Sequence, residues 1–302
     1  MNNMKNILIT LFSLAFVLSC TKPVRLPDYE FPPHLGGQET PKPNPEPGTG
    51  EGKEMTVRLC SYNVGTFSKS KSVLGHYSYP EVASLLKEID ADVVGLNETD
   101  KGNNRTDNQY QAAELAKAVG TGWTSYFAYA HNTAYGNSIV ASSDYKVVKE
   151  WPRLLIPKGN GSENRSMGAV EYENFVFCVT HLDHISIDAR KQGVEIITAW
   201  ALENYGTGKT NKPVFLVGDM NCIPSETTIT SFKKNWTLVS CMENTFPSDK
   251  PVKCIDYIFV LNNGVKFKAG ETHAVTSSKA TDVKLASDHC PMYCDVTFTT
   301  GK

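Results

Sequence analysis

A chain of 302 residues with 40% hydrophobic side chains is long enough to bury a sizeable core, in one large domain or two small ones. Its 30 Lys and Arg stand against 32 Asp and Glu, a formal charge of -2, and setting aside residues 1–54 keeps that balance. Nothing global attracts a polyanion, which counts against a nucleic-acid binder with a broad basic face while leaving room for a local basic patch.

The N-terminus reads as a targeting segment. Lys5 supplies a positive start, and Ile7 to Leu18 is an apolar run too short to span a bilayer. It ends in Val17-Leu18-Ser19-Cys20, which resembles a bacterial lipobox, where the cysteine is acylated and becomes the new first residue. Residues 1–20 are therefore expected to be a lipoprotein signal peptide, and Cys20 the lipid-bearing residue of an exported, membrane-anchored protein on the periplasmic or cell-surface side. The alternative is an ordinary cleaved signal peptide with an incidental cysteine. Residues 21–54 hold half of the 16 prolines and no apolar periodicity. Such a stretch cannot bury enough surface to offset its ordering entropy and is expected to be a disordered tether. Residues 55–302 remain as one folded domain.

Within that domain strand-like and helix-like segments alternate. Thr56–Tyr62 alternates apolar and polar, as a strand does. Pro80 suits the first turn of a helix that places Val82, Leu85, Leu86 and Ile89 on one face. Asp92–Leu96 predicts a buried strand and Asn108–Val119 a helix. Strands are expected over Thr124–Ala130, Ser138–Ser142, Tyr145–Trp151, Met167–Glu173 and Phe175–Thr180. A long amphipathic helix follows over Asp188–Asn204, then a buried strand over Pro213–Val217. Ile255–Leu261, Val265–Thr272 and Pro291–Phe298 close the chain as strands. Much sheet with interspersed helices predicts sheet packed on sheet with helices outside, not one doubly wound parallel sheet. Setting Cys20 aside leaves an odd number of cysteines. Cys241 and Cys254 flank a loop and are candidates for a bridge in an oxidising compartment. Cys290 and Cys294, roughly 13 Å apart in a strand, cannot pair with each other. No CxxC is present, so a structural zinc site is not expected.

Polar residues sit directly beyond apolar strands at five places: Asn63, Glu98, His181 with Asp183, Asp219 with Asn221, and Asp288 with His289. Strand ends are where rigid scaffolds present reactive groups. Singly, each has a bland explanation: a solvated Glu, a turn-capping Asn, a His donating to a carbonyl. The recurrence is what those explanations leave over.

Ser61-Tyr62-Asn63-Val64, Asn97-Glu98-Thr99, Tyr135-Gly136-Asn137-Ser138, Thr180-His181-Leu182-Asp183, Gly218-Asp219-Met220-Asn221, Ile255-Asp256-Tyr257-Ile258 and Ser287-Asp288-His289-Cys290-Pro291 follow one another in the chain. In this order they resemble the endonuclease/exonuclease/phosphatase superfamily, which includes pancreatic deoxyribonuclease, bacterial sphingomyelinases and inositol polyphosphate phosphatases. The resemblance covers about residues 56–298. It implies an α+β fold, a four-layer α/β/β/α sandwich of two mixed sheets flanked by helices, and a metal-dependent hydrolase of phosphate esters that uses water as nucleophile.

The resemblance also implies roles. Glu98 would bind Mg²⁺, or Mn²⁺ in its place, with Asn63 and Asp288 completing or buttressing the metal shell; hard oxygen donors suit such ions. His289 would act as general base, or as a cation holding the phosphoryl group, with Asp256 fixing its tautomer. Asp219 would align or deprotonate the water, and Asn221 and His181 would donate to phosphate oxygens. Asn137 and Arg165 would contact the substrate phosphate, a structural ion pair being the competing role for Arg165. Asn97 departs from the Gln that commonly precedes the metal-binding Glu. His181 groups the chain with the deoxyribonuclease, sphingomyelinase and phosphatase branches, since the abasic-site repair branch carries Asn near that point. Cys222 and Cys254 are expected to be packing residues. The loop Thr66–Tyr79, with Lys69, Lys71, His76 and Tyr77, either lines the pocket or is a solvated turn.

The near-neutral charge places a small phosphoester ahead of nucleic acid as substrate. The alternatives are a secreted nuclease of the deoxyribonuclease type and a non-catalytic surface binding module. The expected state is a monomer that touches the membrane only through the Cys20 lipid.

Overall fold

The computed structural model describes residues 52–301; the expected signal peptide, Cys20 and nearly all of the expected tether lie outside them. The elements in chain order are β1 (Glu54–Asn63), α1 (Lys71–Leu74), α2 (Tyr79–Glu88), β2 (Val93–Asp100), α3 (Gln111–Val119), β3 (Trp123–Asn132) and β4 (Tyr135–Ser142). Then come β5 (Val147–Glu150), β6 (Leu154–Ile156), β7 (Arg165–Tyr172), β8 (Val176–His181), α4 (Ile187–Tyr205), β9 (Val214–Asp219) and α5 (Thr227–Phe232). The last are β10 (Trp236–Leu238), β11 (Asp256–Leu261), β12 (Phe267–Ala274), α6 (Val283–Ala286) and β13 (Met292–Thr299).

The strands form two mixed sheets. One has the order β12-β13-β1-β2-β4-β3, the other β10-β11-β9-β8-β7-β5, with β6 also on β7. Each sheet contains one parallel pair, β1 with β2 and β8 with β9, among antiparallel neighbours. Three apolar layers hold the stack together. Val57, Leu59, Phe177, Val179, Phe215, Val217, Ile258 and Val260 fill the space between the sheets. Cys60, Tyr62, Val94 and Leu96 face α2 and α3 on one outer side. Val176, Cys178, Leu216, Tyr257 and Phe259 share the other outer layer with Val194, Ile197 and Ala201 of α4. Successive residues of β8, β9 and β11 thus enter two different cores. This is why these strands read as unbroken apolar runs: both faces of the sheet are covered. The expected α/β/β/α sandwich is the observed one.

The two sheets meet closely at Gly95 of β2, where a Cβ would lie 2.2 Å from Cγ2 of Val217. Boundaries differ from the sequence reading in places. The first strand begins at Glu54 instead of beyond the tether. The third helix starts at Gln111, not Asn108, because Asp107 and Asn108 both have positive φ. The strand expected over Tyr145–Trp151 shrinks to the exposed edge strand β5. The thiols of Cys241 and Cys254 are both free, so the bridge considered between them is not formed.

Asp183, one of the strand-end acids, organises the turn between β8 and α4. Its Oδ2 accepts from the backbone N and hydroxyl of Ser162, each at 2.7 Å, and its Oδ1 from the N–H groups of Ile185 and Ser186 at 2.9 and 2.8 Å. Burial alone would raise its pKa, but these donors outweigh burial and hold it well below the usual carboxylate range. A carboxylate whose folded pKa is depressed contributes stability above its unfolded pKa and loses it as pH falls through the folded value. Asp183→Asn is therefore expected to cost about 1–3 kcal/mol at pH 7. In urea titrations at a series of pH values, the gap to the wild type should shrink below about pH 4. A gap that stayed constant down to pH 2 would remove the charge from this account.

Candidate active site

Register brings the strand-end residues into rows. Asn63 pairs with Asn97 across the parallel strands β1 and β2. His181 pairs with Asp219 across β8 and β9, and Asp219 with Asp256 across β9 and β11. Neighbouring strands lie about 4.8 Å apart, so side chains at the same level are within reach of one another. Two glycines permit the close approach. At Gly218 a Cβ would stand 1.8 Å from the Thr180 carbonyl oxygen, and φ is +148°; at Gly136 a Cβ would stand 2.0 Å from the Ala128 carbonyl oxygen. Only glycine fits at such points. The next residues, Asp219 and Asn137, are placed accordingly.

Asn97 ties the sheets together. Its Nδ2 donates to Oδ1 of Asn137 and to the carbonyl oxygen of Thr180, both at 2.8 Å, and its Oδ1 accepts from the backbone N of Asp219 at 2.8 Å. Beside it, Glu98 has φ +56° inside a strand, where the β2–β4 register shifts between Leu96 and Thr99. That bulge turns the Glu98 carboxylate towards Asn63, whose Nδ2 donates to Glu98 Oε1 and to Asp219 Oδ2, each at 3.1 Å. Asn221 is also left-handed, at φ +49°, and its backbone N donates to Asp219 Oδ1 at 2.8 Å.

A cavity of about 540 Å³ opens over these groups, walled by Glu98, Arg165, His181, Asp219, Asn221, Asp288 and His289 among others. Asp219 Oδ2 lies 3.5 Å from His181 Nε2 and 3.7 Å from His289 Nε2. The opposite nitrogen of His289, Nδ1, is 2.9 Å from Asp256 Oδ2, which also accepts from the Thr245 hydroxyl at 2.5 Å. Asp256 Oδ1 is buried without a partner. Asn221 donates to the Leu182 carbonyl oxygen at 3.0 Å, and its amide lies 2.9 Å from His181 Nε2. Arg165 sits at the start of β7, with its guanidinium 3.3 Å from His181 Nδ1, 3.1 Å from His184 Nδ1 and 3.1 Å from Glu163.

The two imidazoles are tuned in opposite directions. Burial, then the neighbouring Arg165 charge, push His181 well below the ordinary histidine range, so its ring is neutral. Burial also disfavours a charged His289, but Asp256, Asp219 and Asp288 together overcome that and raise it to about 10. Asp219 is pushed above the carboxylate range, first by burial and then by Asp256.

Nine of the ten residues given a role in the chemistry by the resemblance, Asn137 being the exception, either line the cavity or bond directly to a residue that does. Asn137 is buried behind it, with its amide committed to the Ser166 carbonyl oxygen and to Asn97, so no direct contact with substrate follows from its position. Of the loop Thr66–Tyr79, no residue lines this cavity; Lys71 is occupied by Tyr77 and Asp107, and His76 by Glu81. Tyr135, Glu163, His184, Glu226, Phe246 and Lys253 also line the cavity, with Cys222, Ile223 and Ile255. Sequence reading did not single out the first six, since they come from loops and edges without an apolar run to point at them; Glu163 and Tyr135 lay within a few residues of positions that were noticed.

The donor set suits a divalent cation. Asp219, Asp256 and His289 offer ligand atoms within 4.8 Å of one another. Asp256 is already committed to His289 and Thr245, whereas Glu98 bonds only to Asn63 among the described residues, which leaves its carboxylate the more open oxygen donor. Carboxylate and amide oxygens are the ligands a hard cation takes. Burial keeps Cys222, the thiol at the wall, protonated.

A comparison with the curated proteins found no match. Among solved structures, the chain is similar to an endonuclease/exonuclease/phosphatase family protein from Bacteroides thetaiotaomicron at 18% identity and a TM-score of 0.66, covering 82% of this chain and 99% of that one. It is similar to a mannosyl-6-phosphatase from Bacteroides thetaiotaomicron at 19% identity and 0.65, covering 80% and 99%. It is also similar to ANGEL2, a 2′,3′-cyclic phosphatase, at 13% identity and 0.62, covering 83% and 99%. The model of the Endonuclease/Exonuclease/phosphatase family matches residues 60–289, from the first strand to the histidine of the Asp256 pair, and the chain belongs to that family.

Proposed function

We propose that this protein is an exported, lipid-anchored, Mg²⁺-dependent phosphoesterase that hydrolyses small phosphate esters. Members of its family are phosphoesterases or nucleases, so a hydrolase is the coarser reading. The observation that carries the finer one is the charge of the cavity wall. Glu98, Glu163, Asp219, Glu226 and Asp288 outnumber Arg165, Lys253 and the charged His289. A polyanion would meet no basic track there, whereas a single phosphate can be held by one arginine, the imidazoles and a cation.

A divalent ion held by Glu98, with Asn63 and Asp288 beside it, would offset charge on the phosphate and on the leaving oxygen. The chain's own residues supply the rest. Asp219 orients the attacking water and takes its proton as the new P–O bond forms. His181 and Asn221 flank the attack site and hold equatorial oxygens. His289, charged and fixed by Asp256, donates through Nε2 to the phosphoryl group. This assigns His289 the cationic role and gives proton abstraction to Asp219. Arg165, at the cavity wall, pairs its guanidinium charge with the phosphate. The P–O bond to the alcohol breaks on the side away from Asp219, and the departing alkoxide takes a proton from solvent.

The functional test sets phosphate release from a panel of monoesters beside plasmid nicking at the same Mg²⁺ concentration. Monoester turnover is expected to dominate, to vanish with EDTA and to return with Mg²⁺ or Mn²⁺. Nicking without monoester turnover would establish a nuclease instead, and silence with every divalent ion would favour a binding module. His289→Gln keeps a donor towards buried Asp256 and should fold normally, while kcat falls about 10²–10⁴-fold; a rate near wild type would dismiss the assigned role. For the anchor, wild type should partition into the detergent phase of a Triton X-114 extract and Cys20→Ser into the aqueous phase. Equal partitioning of the two would leave Cys20 as an incidental residue.

A further inference from the structure

Beside the main cavity lies a second one, an annex of about 270 Å³, that shares Glu98, Tyr135 and Glu163 with it. The annex is enclosed by the turn after β1, the loop after β2 and the tip of the β3–β4 hairpin, through Thr66, Asn103, Arg105, His131 and Asn132. None of Asp219, His181, Asn221 or His289 reaches it. Resting on the phosphoesterase reading above, this placement has a stereochemical meaning. In-line displacement puts the departing alcohol opposite the attacking water. On the reading above the water lies at Asp219, which leaves the annex, reached past Glu98, for the departing alcohol.

The walls of the annex define what that alcohol is. No aliphatic side chain larger than Thr66 lines it. Arg105 is fixed by two hydrogen bonds to buried Asp100, at 2.7 and 2.9 Å from Nε and Nη2, so its charge is already balanced and its Nη1 is left over as a donor. Glu163 is shared between His131 Nδ1 at 3.1 Å and Arg165 at 3.1 Å. Asn132 is braced by the backbone N of Ala134 at 2.9 Å and lies 2.8 Å from His131 Nε2. The ring of Tyr135 is partnered by the Arg105 guanidinium at 5.1 Å and by His131 at 5.3 Å. The lining is therefore rich in fixed donors and acceptors, without an uncompensated cation and poor in free apolar surface. A second phosphate finds no uncompensated cation there, a lipid tail finds no apolar wall, and a nucleobase finds the one tyrosine ring already taken. Hydroxyl groups fit such a lining, because each can both donate and accept. We infer that the annex is the leaving-group subsite, and that the substrate is the monophosphate of a sugar or other polyol, with Asn103, Arg105 and Asn132 determining specificity.

The test compares glucose 6-phosphate with cyclohexylmethyl phosphate, which has a similar size and the same primary-alkoxide leaving group but no hydroxyls. Wild type should favour the sugar phosphate in kcat/KM by at least tenfold. Asn103→Ala and Asn132→Ala, with thermal melting as the folding control, should each reduce that ratio through KM with kcat held. Arg105→Lys retains the charge towards Asp100 but loses the fork, and should reduce the ratio in the same way. Equal use of the two substrates by wild type would overturn the subsite, as would a ratio untouched by all three substitutions, and either result would leave the phosphoesterase reading standing. Failure to hydrolyse any monoester, with or without hydroxyls, would overturn both.

Discussion

The amide of Asn97, with Asn63 and Asn137 beside it, ties the two sheets so that they present one reactive surface. Its three hydrogen bonds reach β4, β8 and β9, and two of the partners are backbone groups at strand ends that have no water to turn to. Leaving such groups unpaired in the interior costs about 1–3 kcal/mol each. The level of Glu98 relative to Asp219 is set by these bonds. The position is one methylene shorter than the Gln common in the family, and this shorter amide spans the gap directly.

The opposed tuning of His181 and His289 follows from the same arrangement. Both rings are buried, and burial alone would make both neutral. What separates them is the second neighbour: a guanidinium against Nδ1 of one, a carboxylate against Nδ1 of the other. The site thus holds a neutral and a charged imidazole on either side of Asp219. Mechanistically they are not interchangeable, although both are histidines at the mouth of the same sheet.

Much of this was legible before any coordinates. β8 and β9 each carry an apolar run closed by a polar residue, and β11 an apolar run opened by Asp256, as strands covered on both faces are written. The helix at Pro80 is announced by its proline and its spacing. The short elements α5 and β10 were not legible, since six and three residues are too few for a period to register. Asn137 was misplaced for a related reason. Its neighbours mark a functional level of the sheet, but which way an amide is spent depends on the strand behind it, and Ser166 lies 29 positions away. The Thr245 hydroxyl on Asp256 carried no local signal at all. The pairing considered for Cys241 and Cys254 rested on a loop between them, and loop proximity says nothing about how two thiols are aimed.

Glu98 occupies a backbone conformation that costs an L-residue free energy, inside a strand that would run straight without it. Glycine would relax that position, and the relaxed protein would be the more robust one, but without a carboxylate. The two demands on position 98 therefore pull apart: natural drift towards greater stability leads away from activity there. Searches for hardier forms of this domain that reward only survival on heating will tend to erase the carboxylate at position 98.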